Sequence, residues 1–135
     1  MSLAARTSDL VIVACAVSAG VHGALVPSHF AEGTGAGLGF VAATVLLAVL
    51  VVWLTWRPGN ACAVAAALVT FAGLLASYAL AVTTGLPVLQ PDPEPVDSLA
   101  LATKAIEVVG LLAASSLLWR GRVAATVLQP KGTPT

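Results

Sequence analysis

Residues 17–39 read VSAGVHGALVPSHFAEGTGAGLG. The stretch holds both histidines of the chain, His22 and His29, and Glu32, which is one of only six acidic residues. It joins two long apolar segments through a proline and a run of glycines. Because the segments on either side consist mostly of apolar residues, these polar groups are the first candidates for a functional site.

The composition predicts a chain surrounded by lipid. Hydrophobic residues make up 59% and charged residues 9% of the 135 residues, and the mean hydropathy is +0.99. A soluble domain carries about 25% charged residues, so part of this surface must face a lipid bilayer. The length fits a single domain, 1–135. A net charge of zero without a basic run argues against nucleic acid as a partner.

Four charge-poor segments predict an all-α fold, a four-helix transmembrane bundle. The predicted spans are residues 9–26, 35–56, 60–84 and 98–119. The second span contains no charged residue, and 22 residues at about 1.5 Å each are long enough to cross the hydrocarbon core. Asn60 is the predicted N-cap of the third helix, and Asp97 or Ser98 that of the fourth.

The first segment is predicted to be a helix and not a cleaved signal. Asp9 leaves only five apolar residues before the lipoprotein-like site at Cys15, whereas a signal peptide needs about 7–15. The apolar run continues to Val26, and Pro27 then predicts the end or a kink of this helix.

The distribution of cations predicts the orientation. The cations on one side of the four-span topology are Arg6, Arg57, Arg120, Arg122 and Lys131. The predicted loops 27–34 and 85–97, on the other side, hold none. The positive-inside rule therefore predicts cytoplasmic N- and C-termini, extracytoplasmic loops and a plasma-membrane location. The three tryptophans lie near the predicted inner boundary, where indole rings favour the interface.

Six ionisable side chains are predicted to share the outer half of the bundle. His22, Tyr78, Lys104 and Glu107 lie inside the spans, below a loop that carries His29 and Glu32. Charges inside a membrane cost at least about 2.5–3.5 kcal/mol each, so they face the interior and have partners. The inner half has no ionisable group apart from the thiols of Cys15 and Cys62, which are interpreted as small packing residues.

Glu107 has three interpretations that the sequence leaves open. It could form a local ion pair with Lys104, three residues earlier on the same helix face. It could be a partner of His22, either as a metal ligand or as a hydrogen-bond acceptor. It could also contact a lipid or quinone headgroup.

Four residues form a candidate metal site: His22, His29, Glu32 and Glu107, with Tyr78 and Lys104 in support. Two imidazoles and one or two carboxylates suit Zn²⁺, Cu²⁺ or Fe²⁺. The H-x6-H spacing does not match a helix-borne H-E-x-x-H site, and a hydrogen bond is a more common role for a lone histidine. Metal binding requires neutral imidazoles and ionised carboxylates, so acid should weaken it.

Sequence motifs for catalysis are missing, so no catalytic residue is predicted and an enzyme is disfavoured. No Ser/His/Asp set occurs in a recognisable turn, and the glycines at 33–39 lack the strand–turn–helix setting of a phosphate loop.

A short motif resembles one family. The motif is H-x4-P-x-H-F-x-E, and here it consists of His22, Pro27, His29, Phe30 and Glu32. A glycine-led apolar helix follows it. This arrangement is similar to that of small uncharacterised four-helix membrane proteins of actinobacteria. The turn at residues 84–87 and the later Glu107 look similar too. There is a looser architectural likeness to DoxX-type proteins. The resemblance implies the fold and no activity.

Two functional hypotheses follow. The first is a non-enzymatic accessory or scaffold subunit, which packs against a larger membrane complex or a second copy through small residues at four-residue spacing, such as Cys15, Ala19 and Gly23. The alternative is an outward-facing His/Glu site that binds Cu or Zn, or a small polar or lipid ligand. Transport is disfavoured because the inner half offers no polar path.

Overall fold

A computed structural model describes the backbone of residues 3–86 and 92–127 and the side chains of residues 3–86 and 92–123. It contains α1 (Leu3–Glu32), α2 (Thr34–Trp56), α3 (Ala61–Thr83) and α4 (Ser98–Val127). The all-α, four-helix prediction is confirmed, and all four helices are long and apolar enough to cross a membrane. Lys131 and residues 87–91 of the second predicted loop lie outside the described residues.

The helices form a ring in chain order. Each helix packs against the next one, α4 closes the ring against α1, and the diagonal pair α1 and α3 barely touch. Short connections make α1, α2 and α3 successively antiparallel, and the contacts of Phe71 with Gly110 and of Tyr78 with Lys104 show that α4 runs antiparallel to α3. One end of the bundle, here called the histidine end, therefore holds the C-terminus of α1 and the N-terminus of α4. The opposite end, the arginine end, holds Arg6, Arg57 and Arg120.

The prediction that residues 27–34 form a loop is wrong. α1 continues through Pro27 to Glu32, and only Gly33 separates it from α2. Proline removes one backbone donor, but an apolar helix favours keeping its remaining hydrogen bonds. The Ser28 hydroxyl adds one by donating to the Leu25 carbonyl at 2.7 Å.

The predicted N-caps are confirmed. Asn60 Oδ1 accepts from the backbone N–H of Ala63 at 3.0 Å. At α4 the cap is Asp97, whose Oδ1 accepts from the N–H of Ala100 at 2.8 Å. Both caps satisfy donors that a helix start leaves without a partner.

The close-packed core occupies the half of the bundle nearer the arginine end. Its largest members are Phe71, Leu47, Leu50 and Leu54, all essentially without exposed surface. The Phe71 ring lies against Gly110 of α4, where an added Cβ would be 2.5 Å from the ring. A glycine is therefore needed at position 110 to let α3 and α4 approach.

We expect Gly110→Ala to lower the free energy of unfolding by about 1–3 kcal/mol, because the new methyl group overpacks a fully buried ring. The matched control is Gly73→Ala, since a Cβ at that mid-helix position meets nothing within 4 Å. The control should be neutral, or stabilising by up to about 1 kcal/mol. Unfolding in mixed detergent micelles measures both, and equal effects would contradict the packing.

Candidate functional site

A cavity of about 580 Å³ lies among the four helices at the histidine end. α1 contributes His22 and His29 to its lining, α2 contributes Phe40, α3 contributes Tyr78, and α4 contributes Lys104. Leu25, Leu74 and several alanines form much of the remaining wall. The polar groups are thus gathered where the apolar core is absent.

Below the cavity lies a buried carboxylate, Glu107, with no exposed surface. Its Oε1 accepts a hydrogen bond from the Ser18 hydroxyl of α1 at 2.8 Å. Its Oε2 accepts from the Lys104 ammonium at 2.8 Å. Both oxygens therefore have a donor, as a buried charge requires, and the bond to Ser18 ties α4 to α1.

His22 lies beside this carboxylate without bonding to it. Its Nδ1 is 2.8 Å from the Ser18 carbonyl oxygen, which can only accept, so Nδ1 carries the hydrogen. Its Nε2 is 4.0 Å from Glu107 Oε1, which is beyond hydrogen-bond length. In the neutral ring, Nε2 is therefore left as an acceptor.

Tyr78 and Lys104 meet on the opposite wall of the cavity. The Lys104 ammonium lies 5.3 Å from the centre of the Tyr78 ring, within the range of a cation–π contact. The Tyr78 hydroxyl oxygen is buried and has no hydrogen-bond partner among the described residues.

Three acidic or imidazole side chains converge at the mouth of the cavity. This mouth cluster consists of His29 and Glu32 of α1 and Glu94 of the α3–α4 connection. His29 Nε2 lies 3.2 Å from Glu94 Oε1 and 3.9 Å from Glu32 Oε2. The connection is held in place by the Glu94 N–H, which donates to the Ala81 carbonyl at 2.9 Å.

The ring of His29 is fixed from both sides. Its Nδ1 lies 3.0 Å from the Leu25 carbonyl oxygen, so Nδ1 is the donor and Nε2 faces the two carboxylates. The Phe40 ring stacks on it with centroids 3.6 Å apart, and lies 5.2 Å from the ring of His22. A neutral Nε2 facing carboxylate oxygens is repulsive, and either a proton shared between Nε2 and Glu94 or a metal ion would relieve this repulsion.

The distances of the mouth cluster suit a metal ion. At bond lengths of about 2.0–2.2 Å, the ligand atoms of a tetrahedral site lie about 3.3–3.6 Å apart. One ligand atom from each of the three residues lies within 4.8 Å of the others. The Glu32 side chain is 52% exposed and free to close the widest gap.

The four residues of the predicted site therefore fall into two groups. His22 and Glu107 lie close together, as expected: His22 lines the cavity and Glu107 lies below it. His29 and Glu32 lie together at the mouth; His29 is in a helix and buried, whereas the sequence analysis placed it in a loop. The predicted supporting residues Tyr78 and Lys104 line the cavity between the two groups.

Three residues of the arrangement were missed by the sequence analysis. Ser18 precedes His22 by four residues and so shares its helix face, which was a readable signal. Phe40 is one of many apolar residues on α2. Glu94 lies in a proline-rich connection, and no periodicity predicts that the connection folds back over α1.

We expect Lys104→Met to destabilise the protein by about 3–5 kcal/mol, because it leaves the buried Glu107 charge without its cation. Glu107→Gln should cost less, since the Lys104 side chain is 15% exposed and can reach the membrane surface. The double variant Lys104→Met/Glu107→Gln should recover much of the loss. Thermal unfolding in detergent compares the three, and additive losses would contradict the coupling.

The chain was compared with known families, curated proteins and solved structures. No family model matches it, and neither a curated protein nor a solved structure is similar enough to count as a match.

Proposed function

We propose that this chain is a multi-pass membrane protein that binds a divalent transition metal, Zn²⁺ or Cu²⁺, in the mouth cluster on the extracytoplasmic side. The observation that supports this is the convergence of His29, Glu32 and Glu94, from two separate parts of the chain, to within 4.8 Å. His29 and Glu32 are neighbours on one helix, but Glu94 is 65 residues from His29, so its presence in the cluster is not a consequence of proximity in the sequence.

The donor set selects the kind of metal. One imidazole and two carboxylates suit Zn²⁺ or Cu²⁺, and no thiolate or thioether is present in the cluster to favour Cu⁺. The contact between His29 Nδ1 and the Leu25 carbonyl is the outer-shell bond that orients metal-binding histidines. Three protein ligands leave a fourth position open, which suits exchange of the metal or binding of a further ligand.

The deeper pair, His22 and Glu107, is a weaker metal site. Both oxygens of Glu107 already accept hydrogen bonds, from Ser18 and Lys104. A metal there would have to displace the Lys104 ammonium and remain next to a second positive charge. We assign this pair a structural role.

Capture of a metal at the membrane surface, for sensing or for delivery to another protein, is the role that suits a half-exposed site. The first hypothesis, an accessory subunit of a larger complex, is compatible with it, because a metal-delivering protein needs a recipient. That hypothesis stays a prediction, and gentle detergent extraction followed by co-purification tests it.

We expect purified protein to bind one Zn²⁺ per chain, and both His29→Ala and Glu94→Gln to weaken binding by at least the 10–100-fold that the loss of an outer-shell partner costs. Asp92→Asn is the matched control, since Asp92 is an exposed carboxylate of the same connection outside the cluster. Competition with a chromophoric chelator measures the affinities, first with Zn²⁺ and then with Cu²⁺.

The same assay on His22→Ala and Glu107→Gln separates the two groups. Binding should persist in both variants. If these two abolish binding and Glu94→Gln does not, the metal lies at the deeper pair and the mouth cluster is only an ion-paired imidazolium. Equally weak binding in all variants would show that neither group of residues is a specific metal site.

The orientation that we propose places the termini in the cytoplasm and the histidine end outside the cell. Its support is the positive-inside bias of Arg6, Arg57, Arg120 and Arg122. Trp56 and Trp119, which are 78% and 71% exposed near the arginine end, suit an interfacial position.

Single cysteines report this orientation in intact cells, in a Cys62→Ser background that keeps the buried Cys15. Cysteines placed at Ser28 and Pro93, which are exposed at the histidine end, should react with a membrane-impermeant maleimide. A cysteine at Gly59, in the turn at the arginine end, should react only after the cells are broken. The reverse pattern would invert the topology.

A further inference from the structure

We infer that the cavity below the mouth cluster binds an uncharged amphipathic molecule, whose hydrogen-bonding oxygen is held by Lys104 and Tyr78 and whose apolar body fills the cavity. This site goes beyond the proposed metal site and does not depend on it, because the two share no polar ligand atom.

Two polar groups on the cavity wall have capacity for a ligand. The Tyr78 hydroxyl is buried without a partner among the described residues, so it can both donate and accept. The Lys104 ammonium has three donors, and Glu107 Oε2 takes one of them. Both residues line the cavity, and the Lys104 ammonium lies over the Tyr78 ring, 5.3 Å from its centre. A carbonyl or hydroxyl oxygen between them would accept from both.

His22 provides a third group on the facing wall. Its Nδ1 is engaged by the Ser18 carbonyl, and its Nε2 has no partner within hydrogen-bond length among the described residues. Nε2 of the neutral ring is an acceptor, so it suits a ligand that also carries a hydroxyl group. The polar head of the ligand would therefore have the donors of Lys104 and Tyr78 on one side and the acceptor Nε2 of His22 on the other.

The charges around the cavity select an uncharged ligand. The positive charge of Lys104 is already balanced by Glu107. The mouth carries Glu32, Glu94 and Asp97, which repel an anion that approaches from water. An organic cation would meet the Lys104 ammonium on the cavity wall. A neutral molecule meets neither penalty.

The walls and the size of the cavity suit an apolar body. Leu25, Leu74 and Ala43 line it together with the Phe40 ring. A volume of about 580 Å³ lies within the ~300–1,000 Å³ of small-molecule sites. Small-molecule sites are usually lined by many apolar side chains and a few polar groups, as this cavity is.

The test uses two photoreactive probes with the same medium-chain diazirine tail, one with a methyl ketone head and one with a carboxylate head. Metal-free purified protein is irradiated with each probe, and the labelled residues are identified by peptide mass spectrometry. We expect the ketone to label cavity residues such as Leu25 and Leu74, and the carboxylate to label them several-fold less. Preferential labelling by the carboxylate would overturn the assignment of an uncharged ligand.

Matched variants show whether the label reports the cavity. Ala43→Phe fills the cavity and should abolish the labelling, whereas Ala42→Phe places the same ring on the exposed face of α2 and should leave it unchanged. Tyr78→Phe keeps the ring and removes the hydroxyl, so the ketone affinity should fall by roughly three- to tenfold. Labelling that is equal in Ala43→Phe and Ala42→Phe, or restricted to lipid-facing residues, would overturn the site.

His29→Ala distinguishes this inference from the proposed metal site. That variant should lose Zn²⁺ binding and keep the ketone labelling. Loss of labelling together with the metal would mean that the cavity holds no site of its own.

Discussion

The Glu107 carboxylate imposes the strictest constraint on this bundle. A negative charge without exposed surface has to be matched within hydrogen-bond reach, and among the described residues the Ser18 hydroxyl and the Lys104 ammonium are the two donors that meet this need. Ser18 is on α1, so the requirement fixes the rotation of α1 relative to α4. His22, one turn beyond Ser18, is then directed to the cavity, and His29, two turns further, to its mouth.

The two halves of the bundle are stabilised by different interactions. Near the arginine end, Phe71 and the leucines of α2 pack closely, and Gly110 allows α3 and α4 to approach. Near the histidine end, packing gives way to a cavity, and hydrogen bonds hold the helices instead. Natural proteins place functional sites where local packing is sacrificed, and both proposed sites lie at the histidine end.

The sequence predicted the four helices because hydrophobicity over about 20 residues is a strong signal, and it predicted both helix caps from single residues. It also placed His22 and Glu107 at a common depth, and they lie within 4.0 Å of each other. The misplaced loop at Pro27 shows the limit of local rules. Proline disfavours a helix in water, but a lipid environment makes a continuous helix the better solution. The membership of Glu94 in the mouth cluster depends on how a connection folds over another helix, and no local pattern encodes such a contact.

Gly33 is the whole connection between α1 and α2. Two helices of this length joined by one residue have no separate loop that could cross a bilayer between two insertion events. In a bilayer, two spans joined in this way would insert together as a hairpin whose tip carries His29 and Glu32. His29 and Glu32 therefore sit on one rigid element, next to the only residue that separates α1 from α2.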